Sequence, residues 1–404
     1  MTKIPKILSL SPDLPFPIVA GGQMRMASLC EGLSKCCRLH IACIAPAIPE
    51  ATLDWAKELN VTIESFRHTD FSNLQLLYQR INMIITRNNL KHHRRAQHFF
   101  NDVFNHTAPD IVWLETPYLI RYTLEWMKKI PIVVDYWGTS EGAKRIFMNT
   151  SGIKRIKTWF IWWTAYGGEL RYSKRLKEIV CVSRLDAEYF QRIAPHCRTW
   201  PIPNGIIKQY QKNGAVPLHT EHEQNMTMIF TGDLSYLPNI DAALFFADRI
   251  FPRIKKELPE VVFRMVGRNP SQAILRLKGT SGMEVLGFVP DLSTEILRSS
   301  IYVLPMRLGS GIRSKLFDVF PLAKAIVTTS IGAEGLELHH GENCLIADEE
   351  MDFAQCCIHL LKDEGKRVKL GNEAKRLATD VYTQENINLL IKEVVAEVMC
   401  KRQR

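Results

Sequence analysis

The chain has 404 residues, of which 46% are hydrophobic and 23% charged, with no low-complexity tract, so a fibrous or disordered protein is excluded. No apolar run reaches the roughly 18 residues of a membrane-spanning helix. The formal net charge of +10 is confined to one half: Met1–Asn204 carries 27 Lys+Arg against 17 Asp+Glu, and the remainder 25 against 25.

In chain order, the pattern is that of an α/β protein. "KILSLS" (Lys6–Ser11) reads as a buried first strand. A proline-rich loop then leads to Gly21 and Gly22, which open a helix, "GGQMRMASLCEGLSK". "HIACIA", "IVWLE", "PIVVDYW" and "EIVCVS" are further strands. Short apolar runs bounded by breakers suit a parallel sheet covered on both faces. Lys144–Lys177 holds nine Lys/Arg and one Glu, interleaved with Trp159, Trp162 and Trp163. Arg87–Phe100 is a second basic cluster. A basic stretch with interfacial aromatics suits an anionic membrane surface; the competing reading packs the aromatics in the core and leaves the charges as a solvated face.

A turn-rich segment, "WPIPNGI" (Trp200–Ile206), and the aperiodic polar stretch Lys208–Gln224 mark a hinge. The pattern then restarts. "MTMIFTG", "VVFRMVG", "MEVLGFV", "SIYVLP" and "KAIVTTS" read as strands, and "NIDAALFFADRIFPRIKKEL", "DLSTEILRSS" and "IRSKLFDVF" as helices. The expected division is residues 1–205, residues 206–380 and a closing amphipathic helix within 381–404, which belongs to the second domain or reaches back to the first. Ligands of doubly wound sheets bind at the carboxyl ends of the strands.

"PMRLGSGIRSK" places Gly309 and Gly311 after a strand, with Ser310 as a predicted N-cap and Ile312 opening the helix. Arg313 and Lys315 then fall in a first helical turn, where cations are disfavoured by roughly 0.3–1 kcal/mol each unless an anion compensates. First-turn N–H groups with an Arg and a Lys suit a diphosphate. Asp318, on the same helix, has the chemistry to accept from ribose hydroxyls. A second turn, "TSIGAEGLE", holds Glu334 between Gly332 and Gly335. There is no G-x-G-x-x-G and no G-x-x-x-x-G-K-[ST], so neither a dinucleotide fingerprint nor a P-loop is present. Ten cysteines form no C-x-x-C, and His68, His92, His93, His339 and His340 have no spacing that argues a metal or a triad; no metal site is expected.

These segments resemble the retaining GT-B glycosyltransferases of family four, in particular the sugar transferases of exopolysaccharide and surface-polysaccharide clusters. "FTGDLSYLPNIDAALFFADRIFP", "VGRNP", "MEVLGFVPDL", "PMRLGSGIRSKLFDVF" and "VTTSIGAEGL" stand in the family's order, "IPNGI" resembles its interdomain turn and "AGGQMR" its N-terminal glycine loop. The resemblance implies two Rossmann-like domains facing across a cleft, the N-terminal one for the acceptor and the C-terminal one for a nucleotide-sugar. It implies that Arg313 and Lys315 hold the donor diphosphate and that Asp318 stands where the family has a ribose-binding Glu. Gly332, Glu334 and Gly335 would lie against donor sugar or phosphate, and Gly287, Phe288 and Val289 against the base. Gly21 and Gly22 would approach the diphosphate and acceptor. "GDLSYLPN", containing Gly232, lacks the Arg and Lys many members carry there, so Arg313 and Lys315 take over that duty. The usual N-domain His is missing; Asp135 in "VVDYWGTSEG" is the candidate there for sugar or acceptor contact.

The expected function is therefore retaining, metal-independent hexosyl transfer without a cofactor, to a lipid-linked or saccharide acceptor in polysaccharide or glycoconjugate biosynthesis. The expected setting is the cytoplasm, peripheral on the inner membrane face. The alternatives are a non-catalytic nucleotide-sugar binder, a nucleotide-sugar epimerase of the same fold, or a nucleic-acid-binding protein using the basic half; no recognised nucleic-acid module supports the last, and no nucleic-acid partner is expected.

Overall fold

The structure, a computed structural model, describes residues 4–67, 94–152, 154–207 and 226–402. The hinge stretch Lys208–Gln224, residues 87–93 of the second basic cluster, and His68, His92 and His93 lie outside the described residues. Two compact units are present: residues 1–207 together with 384–404, and residues 208–383.

The first unit is built on a seven-stranded parallel sheet. Its strands are β1 (Lys6–Ser11), β2 (Arg38–Ile44), β3 (Thr62–Phe66), β4 (Ile111–Leu114), β5 (Ile132–Tyr136), β6 (Glu178–Cys181) and β7 (Arg198–Pro201), in the order β3-β2-β1-β4-β5-β6-β7. Strands β4, β5 and β6 are buried at every position, as expected of central parallel strands covered on both faces. One face packs Leu8, Leu10, Ala42 and Val112 against Ala96, Phe100 and Val103 of the helix Arg94–Thr107. The other face packs Ile7, Ile41 and Trp113 against the helix Gly21–Ser34.

The last helix, Gln384–Arg402, joins this second face through Ile387, Ile391, Val394 and Val398. Each such side chain contributes about 1.5–3 kcal/mol of burial. The close approach needs Gly32, because a Cβ there would run into Ile391 Cδ1. A buried pair of bonds locks the return: Ser28 Oγ donates to Gln384 Oε1 (2.8 Å), and Gln384 Nε2 donates to Ser28 O (2.8 Å).

The second unit carries a six-stranded parallel sheet: β8 (Thr227–Thr231), β9 (Val262–Val266), β10 (Met283–Gly287), β11 (Ile301–Leu304), β12 (Ile326–Thr328) and β13 (Leu345–Ile346), in the order β10-β9-β8-β11-β12-β13. Phe246 anchors its core, with ring centroids 4.5 Å from Phe263 and 5.9 Å from Phe353. The helix expected over 239–258 is broken into an α-helix Leu237–Phe245, a π-helical turn Phe246–Ile250 and an α-helix Phe251–Glu257. Pro252 is the physical reason, since it lacks the N–H that would continue the regular ladder.

In both sheets the unit's first strand is central, and the strand order reverses beside it. Ligands of doubly wound sheets bind at such reversal points.

Candidate functional site

In the second unit the reversal lies between β8 and β11. Gly232, at φ +143°, follows β8. A Cβ on Gly232 would lie 2.7 Å from Lys315 Nζ and 2.8 Å from Asn239 Nδ2, so the glycine is what lets these two side chains meet. Lys315 Nζ donates to Asn239 Oδ1 at 2.7 Å and sits 4.4 Å above the Phe230 ring. Asn239 is fixed in turn by donating to Asp233 O (2.9 Å). Burial pushes the Lys315 ammonium down to about 7, Arg313 acting in the same direction and Asp318 against it.

The segment after β11 corrects an expectation. No helix starts at Ile312, and Ser310 is not an N-cap: the α-helix is only Leu316–Val319, with Lys315 at its cap position. Leu316 N donates to Arg313 O and Phe317 N to Ser314 O, which makes 313–316 a tight turn leading into the short helix. Gly309 (φ +106°) and Gly311 (φ +70°) direct the chain into this turn, and Pro321 limits the helix at its far end. The cations are therefore presented by a glycine-bounded loop, and the helix-terminus argument for anion binding does not apply.

Arg313 is buried. Its Nη1 donates to Ser310 O (2.9 Å), its Nη2 donates to Ile331 O (3.1 Å), and Glu334 Oε2 lies 3.9 Å away. It thus ties the Gly309–Gly311 loop to the turn containing Gly332, Glu334 and Gly335. Thr329 Oγ1 caps that turn by accepting from Gly332 N (3.0 Å). Gly287 (φ +71°) ends β10 facing open space, since a Cβ there would meet no atom within 4 Å, and Phe288 beside it is 70% exposed. Val289 is half-buried and Asp318 is exposed. The structure brings Gly232, Lys315 and Arg313 together with Gly309, Gly311 and the Gly332–Gly335 turn.

The first unit furnishes its reversal point differently. Asp135 on β5 is fully buried and accepts from Arg25 Nε (3.0 Å) and Nη2 (2.7 Å). Arg25 Nη1 also donates to Ile202 O and Pro203 O, which holds the turn leading out of this unit. Gly22 makes room for the Trp137 ring, 2.8 Å from where a Cβ would stand. Glu115, at the end of β4, is buried and accepts from Ser9 Oγ (2.8 Å); burial and then the Asp135 charge push its carboxyl up to about 8. Sequence reasoning misses Arg25 and Glu115. An arginine inside an otherwise apolar helix and a carboxylate directly after a buried strand are the signals they leave.

The basic stretch forms two packed helices, Ser140–Met148 and Lys154–Ser173. Phe147 stacks on Trp162 (5.7 Å) and Trp159 on Trp163 (5.7 Å). Met148, Ile156, Trp159 and Ile161 remain exposed, beside exposed Lys154, Arg155 and Lys157. Among the described residues, no helix is long and apolar enough to cross a membrane.

Residues 225–363 match the family described as glycosyl transferases group 1. An uncharacterized 44.6 kDa protein in the cps region of Klebsiella pneumoniae is 26% identical over 171 residues, which is 40% of this chain and 44% of that protein. The match therefore spans less than half of that relative's length. Among solved structures, Anabaena Alr3699/HepE in complex with UDP and glucose is similar with a TM-score of 0.63 at 14% identity, covering 97% of this chain and 99% of that one. Sucrose-phosphate synthase from Thermosynechococcus elongatus is similar with a TM-score of 0.70 at 10% identity, covering 98% and 100%. The two parallel-sheet α/β units are those of the GT-B fold.

Proposed function

We propose that the chain is a glycosyltransferase that takes a sugar from a nucleotide-sugar and transfers it, with retention of anomeric configuration, to a lipid-linked or saccharide acceptor in surface-polysaccharide synthesis. The observation that carries the reading is Lys315. Its ammonium is held over Phe230 and against a neutral amide at the reversal point of the sheet whose residues match the glycosyl transferase family. No ion pair to Lys315 is present among the described residues, although the Asp318 charge acts on it and Glu334 lies 3.9 Å from Arg313; a diphosphate is the counter-charge that suits the ammonium.

In the transfer, negative charge grows on the leaving phosphate while the sugar becomes oxocarbenium-like. Lys315 meets that charge as a fixed cation; a well-placed donor of this kind contributes roughly 3–4 kcal/mol. Arg313 acts mainly by holding the two glycine turns in register around the phosphates. The base lies along Gly287–Val289, and Asp318 reaches the ribose. The departing phosphate takes the acceptor proton, so no protein nucleophile, metal or cofactor is called on. The acceptor falls to the first unit, whose exposed Trp159 and Ile156 beside Lys154, Arg155 and Lys157 form a surface suited to anionic lipid.

The test is thermal unfolding against UDP-, GDP-, ADP- and CMP-sugars, then transfer assays on lipid-linked acceptors with the product anomer read by NMR. Because the Anabaena relative was solved with UDP, UDP-sugars are expected to stabilise first. No stabilisation by any donor rejects the reading. Sedimentation with anionic liposomes tests the surface: reversing Lys154, Arg155 and Lys157 to Glu is expected to release the protein, and equal sedimentation rejects lipid docking.

A further inference from the structure

A second cluster of chemistry lies away from the phosphate loops, in the first unit. It is built from one face of the sheet. His40 on β2 pairs in register with Thr62, and Ala42 with Glu64, so His40 and Glu64 lie on the same face by the two-residue period of strands. That face carries the helix Arg94–Thr107, which buries Phe100 and Val103 against it. His106 follows Val103 by three residues and so returns to the same side of the helix. Three elements thereby deliver two imidazoles and one carboxylate to one spot.

The geometry is tight. Glu64 Oε1 lies 2.8 Å from His40 Nε2 and 3.1 Å from His106 Nε2, and all three atoms lie within 4.8 Å of one another. The His40 contact is short, yet among the described residues His40 Nε2, which is buried from water, makes no well-aligned hydrogen bond. A buried ring nitrogen without an aligned partner is destabilising. A shared cation relieves it. Ligands about 2.0–2.2 Å from one tetrahedral ion stand roughly 3.3 Å apart, within a small side-chain adjustment of what is seen.

We propose that His40 Nε2, Glu64 Oε1 and His106 Nε2 bind one divalent transition-metal ion, zinc being the best match, which ties β3 and the Arg94–Thr107 helix to β2. Two imidazoles and a carboxylate are a borderline-soft set suited to zinc and poorly suited to magnesium or calcium. His106 lies in the last turn of its helix, where the partial negative charge of the helix end favours a cation. Glu64 is 37% and His106 53% exposed, which leaves an entry path and room for a water as fourth ligand. His40 and Glu64 sit on the face covered by the Arg94–Thr107 helix, opposite the face that carries the Gly21–Ser34 helix, so the role assigned is a structural brace of the sheet edge. It is independent of the donor site.

The test uses the full-length chain, free of any affinity tag and stripped with a chelator. Calorimetric titration with zinc is expected to give one site per chain. His106→Ala and Glu64→Gln should each weaken it by at least about tenfold, and zinc should raise the unfolding temperature of the parent chain but not of His106→Ala. His106 is exposed enough for its variant to fold if Glu64→Gln does not. UDP-sugar stabilisation should be the same with and without zinc, which separates this site from the donor site. Absence of stoichiometric binding in the parent chain, or binding unchanged by both variants, overturns the proposal.

Discussion

The two sheets share a strand order around their first strands, yet the two reversal points are furnished in opposite ways. In the first unit the protein supplies both members of the ion pair: Asp135 takes both forks of Arg25, and Glu115 is neutralised by burial. In the second, Lys315 meets an amide and an aromatic ring, and no carboxylate stands in ion-pair range of it among the described residues. The same topology thus carries a closed ion pair in one unit and, in the other, a lysine held by an amide and a ring.

The largest expected effect breaks the sealed side. Asp135→Ala leaves the Arg25 guanidinium buried without its partner and is expected to cost about 3–5 kcal/mol in urea unfolding. Donor affinity, measured under conditions where the variant is folded, should stay as in the parent. A loss of donor affinity with stability intact would instead return Asp135 to the role of sugar or acceptor contact that its sequence position suggested.

On the open side, Lys315→Ala is expected to lower kcat/KM for the nucleotide-sugar by roughly 100-fold or more, with no loss in urea midpoint at pH 7, because burial of the ammonium is itself unfavourable. A smaller effect is proton-linked. Lys315, near 7 in the free protein, must be charged to meet the diphosphate, so donor binding above pH 7 takes up a proton. Affinity should fall by up to about tenfold per pH unit above pH 7, and calorimetry in buffers of different ionisation enthalpy should register uptake approaching one proton at pH 8. For stability the sign is that of a depressed group: the free protein gains from Lys315 as pH rises from about 7 towards 10.5.

A separate effect, read in stability and not in donor affinity, belongs to Glu115. Its folded value, near 8, is raised above the unfolded one, so its contribution to stability is present at low pH and lost as pH rises through about 8. Glu115→Gln should unfold like the parent within about 1 kcal/mol at pH 5 and lose less stability between pH 5 and 9. Parallel pH curves for the two proteins would contradict the assignment.

Most of this architecture is legible in the sequence because central parallel strands are unbroken apolar runs. The strands that escape such reading are those without these runs: β3 is a half-buried edge strand reading "TIESF", β7 reads as part of a turn, and β13 has two residues. The loops after β11 and β12 are legible through their glycines. Their local form is not, because Ser310 and Ile312 have acceptable helix-start chemistry and only the conformations of Gly309 and Gly311 decide against it. The buried pair of Arg25 with Asp135 joins positions 110 apart, and the cluster of His40, Glu64 and His106 is assembled by strand register and helix packing. No local spacing announces either one.

The central claim is that Lys315 at the second reversal point holds the diphosphate of an activated sugar. Calorimetric binding of UDP and a UDP-sugar to the parent chain and to Lys315→Ala tests it most directly. The account predicts binding to the parent with proton uptake at pH 8, and loss of at least about tenfold in affinity together with the uptake in the variant. Equal affinity in a folded variant, with proton uptake unchanged, would contradict it.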